Sequence, residues 1–285
     1  MEATVDADAA RTTRRTAVLG GLSTAALVGT TLLALGAGRE KLFGIAWVAF
    51  LGMAVAGWFG SRAPRENAGV LVWGYGLASG AMVTSAAVFL LPQAMGQDPT
   101  YGGFGVALGL LVGFGAHTLG HRLAHMDLPI DRTLAELTAH AVSAGAIIGI
   151  IYGNMPELGP LLGLAIVSHK GPAGYAAVNR YTGQGGDWRA ILLPAAGVGI
   201  AAAVSSFLAL PASGPVRGVV FGFATGVFLH VAMDFLPECE LGSEIHDSLA
   251  HEGNAHVVLD RMRVHAVAST ILGGLVVFLA WLVVA

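Results

Sequence analysis

Apolar runs of about twenty residues alternate with short polar segments along most of the chain, which is the pattern of membrane-crossing helices. The runs place candidate spans at roughly 16–37, 43–60, 69–92, 101–121, 133–152, 158–179, 190–210, 216–236 and 264–284. Most linkers carry turn residues: Arg62-Ala63-Pro64, Gln97-Asp98-Pro99, Asn154-Met155-Pro156, Gly183-Gln184-Gly185-Gly186, and Pro211 to Pro215. The longest linker, 237–263, is polar and rich in histidine. The pattern predicts an all-α polytopic membrane protein with about nine spans, whose surroundings are a lipid bilayer.

Composition sharpens this reading. Of 285 residues, 55% are of hydrophobic type and 12% are charged, against the roughly 25% charged residues usual in soluble domains. Mean hydropathy is +0.70. The 41 glycines suit close helix packing in lipid. The single cysteine, Cys239, excludes an internal disulfide framework and a four-cysteine zinc site. The net charge of -3 and the lack of any long basic tract give no nucleic-acid signal.

Charge also predicts orientation. Residues 11–15, Arg-Thr-Thr-Arg-Arg, precede the first apolar run as in a secretory or twin-arginine signal. That run is longer than a typical signal core, and the charge count fits its retention. With the N-terminus inside, eleven arginines (11, 14, 15, 62, 65, 122, 132, 180, 189, 261 and 263) fall on the inner side. Only Arg39, Lys41 and Arg217 fall outside. This positive-inside bias predicts a cytoplasmic (plasma) membrane protein with its C-terminus outside.

Polar residues within spans are the candidate chemistry, because ionisable groups at membrane depth usually face a cavity or a partner. Glu136, His140 and Ser143 share one face of the fifth span. Ser168, His169, Lys170, Pro172 and Asn179 lie in the sixth. His230, Asp234 and Glu238 follow at intervals of four in the eighth. A lone intramembrane histidine otherwise serves as an interhelical hydrogen-bonding group. The fifth and sixth spans, however, are joined by one short loop and should be antiparallel neighbours. His140 and His169 can then meet at mid-depth, and imidazole is a common transition-metal ligand. Glu136 and Asp234 are the candidate partners for Lys170. His117, His121 and His125, also four apart, form either a metal-collecting stripe at the inner mouth or a wet helix end. Glu244, His246, Asp247, His251, Glu252 and His256 form either a weak metal-binding segment or a solvated loop.

The order of these residues resembles the ZIP (Zrt/Irt-like) family of divalent-metal transporters. The likeness runs from about residue 43 to the end. Gly76-Leu-Ala-Ser-Gly-Ala-Met82 through Leu90-Leu91-Pro92-Gln93-Ala94 is similar to the family's second helix. Ala139-His140-Ala-Val-Ser-Ala-Gly145 resembles its His-Asn-x-Pro-Glu-Gly helix, and Ala165-Ile-Val-Ser-His169-Lys-Gly-Pro172-Ala-Gly174 its His-Glu-x-Pro-Glu-Gly helix. Gly226-Val-Phe-Leu-His-Val-Ala through Leu236-Pro237-Glu238 resembles its seventh helix. The resemblance implies a ZIP-like eight-helix bundle over 43–285, with residues 1–42 as a tail and additional span and 237–263 as its inner loop. It implies a permease with no resident cofactor and a zinc-like ion as cargo, with carrier-like alternating access and channel-like passage both open. It also admits a homodimer.

The chain departs from the family pattern where the carboxylates stand. His140 and His169 match its metal-binding histidines, but the glutamate positions hold Ala144 and Ala173. The asparagine position is Ala141, Lys170 follows the second histidine, and Ser143 and Leu193 stand where the family has proline and glutamate. The expectation is therefore one metal position at most, on His140 and His169. The likeness adds Met82 as a neighbour on the pathway, and Glu136 is a substitute for a lost carboxylate. Ser143, Lys170, His230 and Asp234 line the expected path, and the Lys170 ammonium can stand in for a second metal. A second reading is a ZIP-like protein that no longer moves such ions and instead senses, scaffolds or carries another solute. The least favoured is an intramembrane metal hydrolase, which needs three protein ligands and an activated water in one place. The protein is expected not to be an enzyme.

Overall fold

The computed structural model describes residues 2–34, 38–63, 68–123, 132–237 and 255–284. Among these the chain is helical throughout, with no strand. The helices are α1 (Glu2–Ala34), α2 (Glu40–Gly60), α3 (Ala68–Ser85), α4 (Leu91–Gln97), α5 (Pro99–Leu123), α6 (Arg132–Asn154), α7 (Pro160–Val167), α8 (Lys170–Gly183), α9 (Leu192–Ser205), α10 (Gly214–Asp234) and α11 (Ala255–Val284). A π-helical turn, Ala86–Leu90, joins α3 to α4, and a 3-10 turn, Trp188–Ile191, leads into α9. Seven of the described rods are long and apolar enough to cross a membrane. The chain is thus an all-α polytopic membrane protein, and its exposed leucines, valines and phenylalanines are the surface a bilayer covers.

Helix starts follow local chemistry. The Asp98 carboxylate accepts from the backbone N–H groups of Thr100 and Tyr101, both at 3.0 Å, and caps α5 ahead of Pro99. Pro160 and Pro215 open α7 and α10 in the same first-turn position. After α8 the chain reverses through Gly185, whose φ of 89° is the left-handed conformation that glycine adopts at no steric cost.

One expected span differs in kind. Residues 158–179 do not form one rod; they break at Ser168 and His169 into α7 and α8. Pro172 gives the reason, since it has no N–H to donate to the Ser168 carbonyl and its ring crowds that carbonyl. Two ends also differ from expectation. α1 begins at Glu2 rather than near residue 16, and α11 begins at Ala255, inside the expected loop. Helical hydrogen bonding continues into polar sequence at both ends, because hydropathy marks membrane depth and not helix length.

The rods fall into two groups. α5 packs on α10 and α3 on α11, with α10 also against α3 and α4. In the other group α6 packs on α9, α2 on α8 and α9, and α1 on α9. Glycines set these contacts. A Cβ at Gly105 or Gly109 of α5 would overlap the carbonyl oxygens of Val219 and Phe223 on α10. The reverse holds for Gly222 and Gly226 against Gly102 and Val106. Gly145, Gly149 and Gly153 of α6 face Val198, Ala202 and Ser206 of α9 equally closely. Small residues four apart let the backbones touch, the packing favoured in lipid, where no hydrophobic force drives helices together. Between the groups, α3 meets α8, and the buried Ser85 hydroxyl donates to the Ala165 carbonyl at 2.9 Å.

Candidate functional site

The junction of α6 with the α7–α8 break holds the candidate site. The Tyr152 hydroxyl fixes the register of the two segments. It donates to the Gly159 carbonyl at 2.7 Å and accepts from the Gly163 N–H at 2.9 Å. α7 therefore returns antiparallel to α6, as the short loop predicts.

His140 and His169 meet. Their Nε2 atoms lie 3.1 Å apart, with ring centroids at 5.4 Å and planes inclined by 55°. His169 is the residue just before α8 and is fully buried; His140 is half-buried. At this separation two imidazole nitrogens share one hydrogen bond. The same separation nearly matches one shared ion, because two Zn–N bonds of ~2.05 Å at a tetrahedral angle put their nitrogens about 3.3 Å apart.

The surroundings are aromatic and apolar. Phe228 of α10 meets the His169 ring edge-on, with centroids at 5.5 Å, and Phe235 lies 6.0 Å from the His140 ring. Tyr75 of α3 backs Phe235 at 5.8 Å. One helix group thus supplies the imidazoles and the other supplies the rings that cover them. The Ser143 hydroxyl donates to the His140 carbonyl at 2.9 Å and so turns towards its own backbone. Ala144 and Ala173, where the resemblance would place glutamates, are both buried.

Lys170 is the most unusual residue of the site. It is only 1% exposed, and its Nζ has no hydrogen-bond partner. The Nδ1 atoms of His140 and His169 are also buried without partners. A buried polar atom without a partner is uncommon, and three at one junction mark a place under chemical demand. Lys170 interacts electrostatically with both rings.

The other sequence-predicted site residues separate into three sets. Met82 is fully buried and shares the apolar cluster of Ala141, Val167 and Phe228. Glu136 and Asp234 do not join the pair: among the described residues no three His, Cys, Asp or Glu side chains come together as a metal group. Glu136 is exposed on α6, one turn from His140, because spacing of four places residues on one stripe without making them converge. His230 and Asp234 pair with each other on α10, Nε2 to Oδ2 at 3.3 Å. His230 packs against Gly113 of α5, away from the imidazole pair. His117 and His121 fall on α5, with side chains outside the described set, and His125 lies outside the described residues. Of the loop segment, Glu238, Glu244, His246, Asp247, His251 and Glu252 also lie outside them, as does the His256 side chain.

Sequence reasoning missed Phe228 and Phe235. Their separation of seven, two helical turns, was the available signal. It was masked by the more conspicuous His230–Asp234 spacing on another face of the helix. No family model matches the chain, and no curated protein matches it.

Proposed function

We propose that the chain is a membrane permease that carries a divalent, zinc-like metal ion through a site built on His140 and His169. The observation that carries the reading is the 3.1 Å approach of the two Nε2 atoms inside a membrane-embedded bundle. Borderline-soft ions favour imidazole nitrogen, and a shared ion needs nearly this separation. The kink ahead of Pro172 supports the reading, because a proline in a membrane helix frees backbone groups that a cavity or neighbouring helices must satisfy. The resemblance to the ZIP family gives the same assignment from residue order alone. The charge bias favours an N-terminus inside a cytoplasmic membrane, and a homodimer is compatible with the family likeness.

Uptake of radioactive zinc into proteoliposomes tests this. Wild-type protein should give flux above empty vesicles. His140→Ala and His169→Ala should each lower it at least tenfold while leaving the folded yield intact. Equal flux in wild type and both variants would sink the assignment.

A second reading is favoured by one observation: Lys170, next to His169, is buried without a hydrogen-bond partner, and among the described residues no carboxylate completes a metal group with the imidazoles. In that reading the two rings are an interhelical hydrogen bond in a ZIP-like protein that senses, scaffolds or carries another solute. It predicts no flux for zinc, manganese, iron or cobalt ions, together with a loss of thermal stability in the histidine variants.

A further inference from the structure

We propose that the groove between α3 and α8 binds one anionic phospholipid, with an acyl chain lying along the groove and the phosphate held by Arg261. The proposal does not depend on the metal reading above.

The groove is apolar and open on one side. Val70, Trp73 and Leu77 of α3 form one wall, Pro172 and Tyr175 of α8 form the other, and the space between them is about 420 Å³. An added Cβ on Gly74 would lie 2.9 Å from the Ala176 methyl, so the two helices touch there and give the groove a floor. Its length selects the occupant. From Gly69 to Leu77, both lining residues, α3 rises about 12 Å. That is close to the ~15 Å depth of one leaflet, half of a hydrocarbon core of about 30 Å. A helix of a second copy would cross the whole core, whereas an acyl chain reaches through one leaflet.

The register of α3 on α11 shows what stands at the end of the groove. The Trp73 Nε1–H donates to His265 Nδ1 at 3.3 Å, across 192 residues of sequence. Gly76 lies against Ser269, and Ala68 and Val72 pack with Leu259. The pairs advance together along both helices, which are therefore parallel, and the same offset sets Gly69 level with Arg261. Arg261 precedes His265 by four residues and shares the stripe that bears on Trp73. Its side chain is exposed. The nearby Asp260 carboxylate pairs with Arg263.

A second cation stands at the same end. A Cβ on Gly60 would overlap the Tyr175 carbonyl, so α2 ends beside the α8 wall. Arg62 follows two residues later, exposed, with its guanidinium 3.6 Å from the Trp58 ring centroid. Trp and Tyr are the ring types that settle at headgroup level, and the groove carries one of each. Guanidinium groups at the end of an apolar trough complement a phosphate with its acyl chain, because arginine meets phosphate oxygens with paired N–H donors. A choline headgroup brings its own cation and gains less.

Tryptophan fluorescence of the full-length protein purified in detergent tests this. The probes are phosphatidylglycerol with brominated acyl chains, which quench indole on contact, and phosphatidylcholine with the same chains. Trp73 is one of five tryptophans. Phosphatidylglycerol should quench a saturable part of the emission, at about fivefold lower concentration than phosphatidylcholine. Trp73→Phe should remove that part, and Arg261→Gln should bring the two lipids to equal half-saturation. Val70→Phe, which fills the groove, should abolish saturation, and the wild-type comparison stands whether or not this variant folds. Equal half-saturation of wild type by the two lipids, or a preference unchanged in Arg261→Gln, overturns the phosphate contact. Saturable quenching that survives Trp73→Phe puts the lipid elsewhere and overturns the groove. No saturable quenching by either lipid overturns the whole proposal; a protein that is then dimeric only while Val70 is unsubstituted has a second copy in the groove instead.

Discussion

The α5–α10 pair and the α6–α8 junction solve opposite problems inside the same bundle. Along α5 and α10, glycines four apart bring the backbones into contact, and a single added Cβ would overlap a carbonyl of the facing helix. His230 closes the stripe against Gly113 and pairs with Asp234. At the α6–α8 junction the helices hardly pack on each other; two rings reach across, and three buried nitrogens lack partners. The first region is packed for rigidity in lipid. The second keeps polar groups that are costly unless something satisfies them. Stability and chemistry are thus carried by different helix pairs.

Substitutions at the two regions can break or sharpen that contrast. Gly109→Leu should have the largest effect, lowering stability by about 3 kcal/mol or more, since the contact it disrupts is backbone on backbone. Loss of the monodisperse folded species in detergent would register it. A tolerated leucine would show that α5 and α10 are not in contact as described. Lys170→Met should act in the opposite direction. It should raise stability by about 2 kcal/mol, because it removes a buried amine that has no hydrogen-bond partner. Thermal unfolding of the purified protein measures this, and a clear loss of stability would mean that the amine has a partner. Asp234→Asn should matter least, within about 0.5 kcal/mol, because the His230–Asp234 pair is partly exposed, with side chains 14% and 35% accessible. The same unfolding assay applies, and a loss as large as that of Gly109→Leu would move His230 and Asp234 into the site.

Much of the architecture was readable in the residues. Apolar run length decides which segments cross a bilayer, and seven of the nine expected spans correspond to rods long and apolar enough to cross among the described residues. The meeting of His140 and His169 was readable too, although the two helices hardly pack on each other and only the rings reach across. Other parts depend on facts that a linear pattern does not hold. Pro172 is visible as a residue, but 158–179 reads as one apolar span, whereas the helix divides at Ser168 and His169. Glu136 shares a stripe with His140, yet which way that stripe turns is set by the packing of α6 on α9. The glycine triplets at 105, 109 and 113, at 145, 149 and 153, and at 218, 222 and 226 show their spacing in the sequence. Their partners are legible only in three dimensions.

The direct bond between the two imidazoles has a kinetic consequence. In the resting pair one ring gives its Nε2 hydrogen and the other receives it, so the rings occupy different tautomers and only one Nε2 lone pair is engaged. A newcomer that bridges them must first part the rings and move a hydrogen from Nε2 to Nδ1 on the donor. The bonded pair is therefore self-capped: neither ring can offer its Nε2 to another group without first giving up the other.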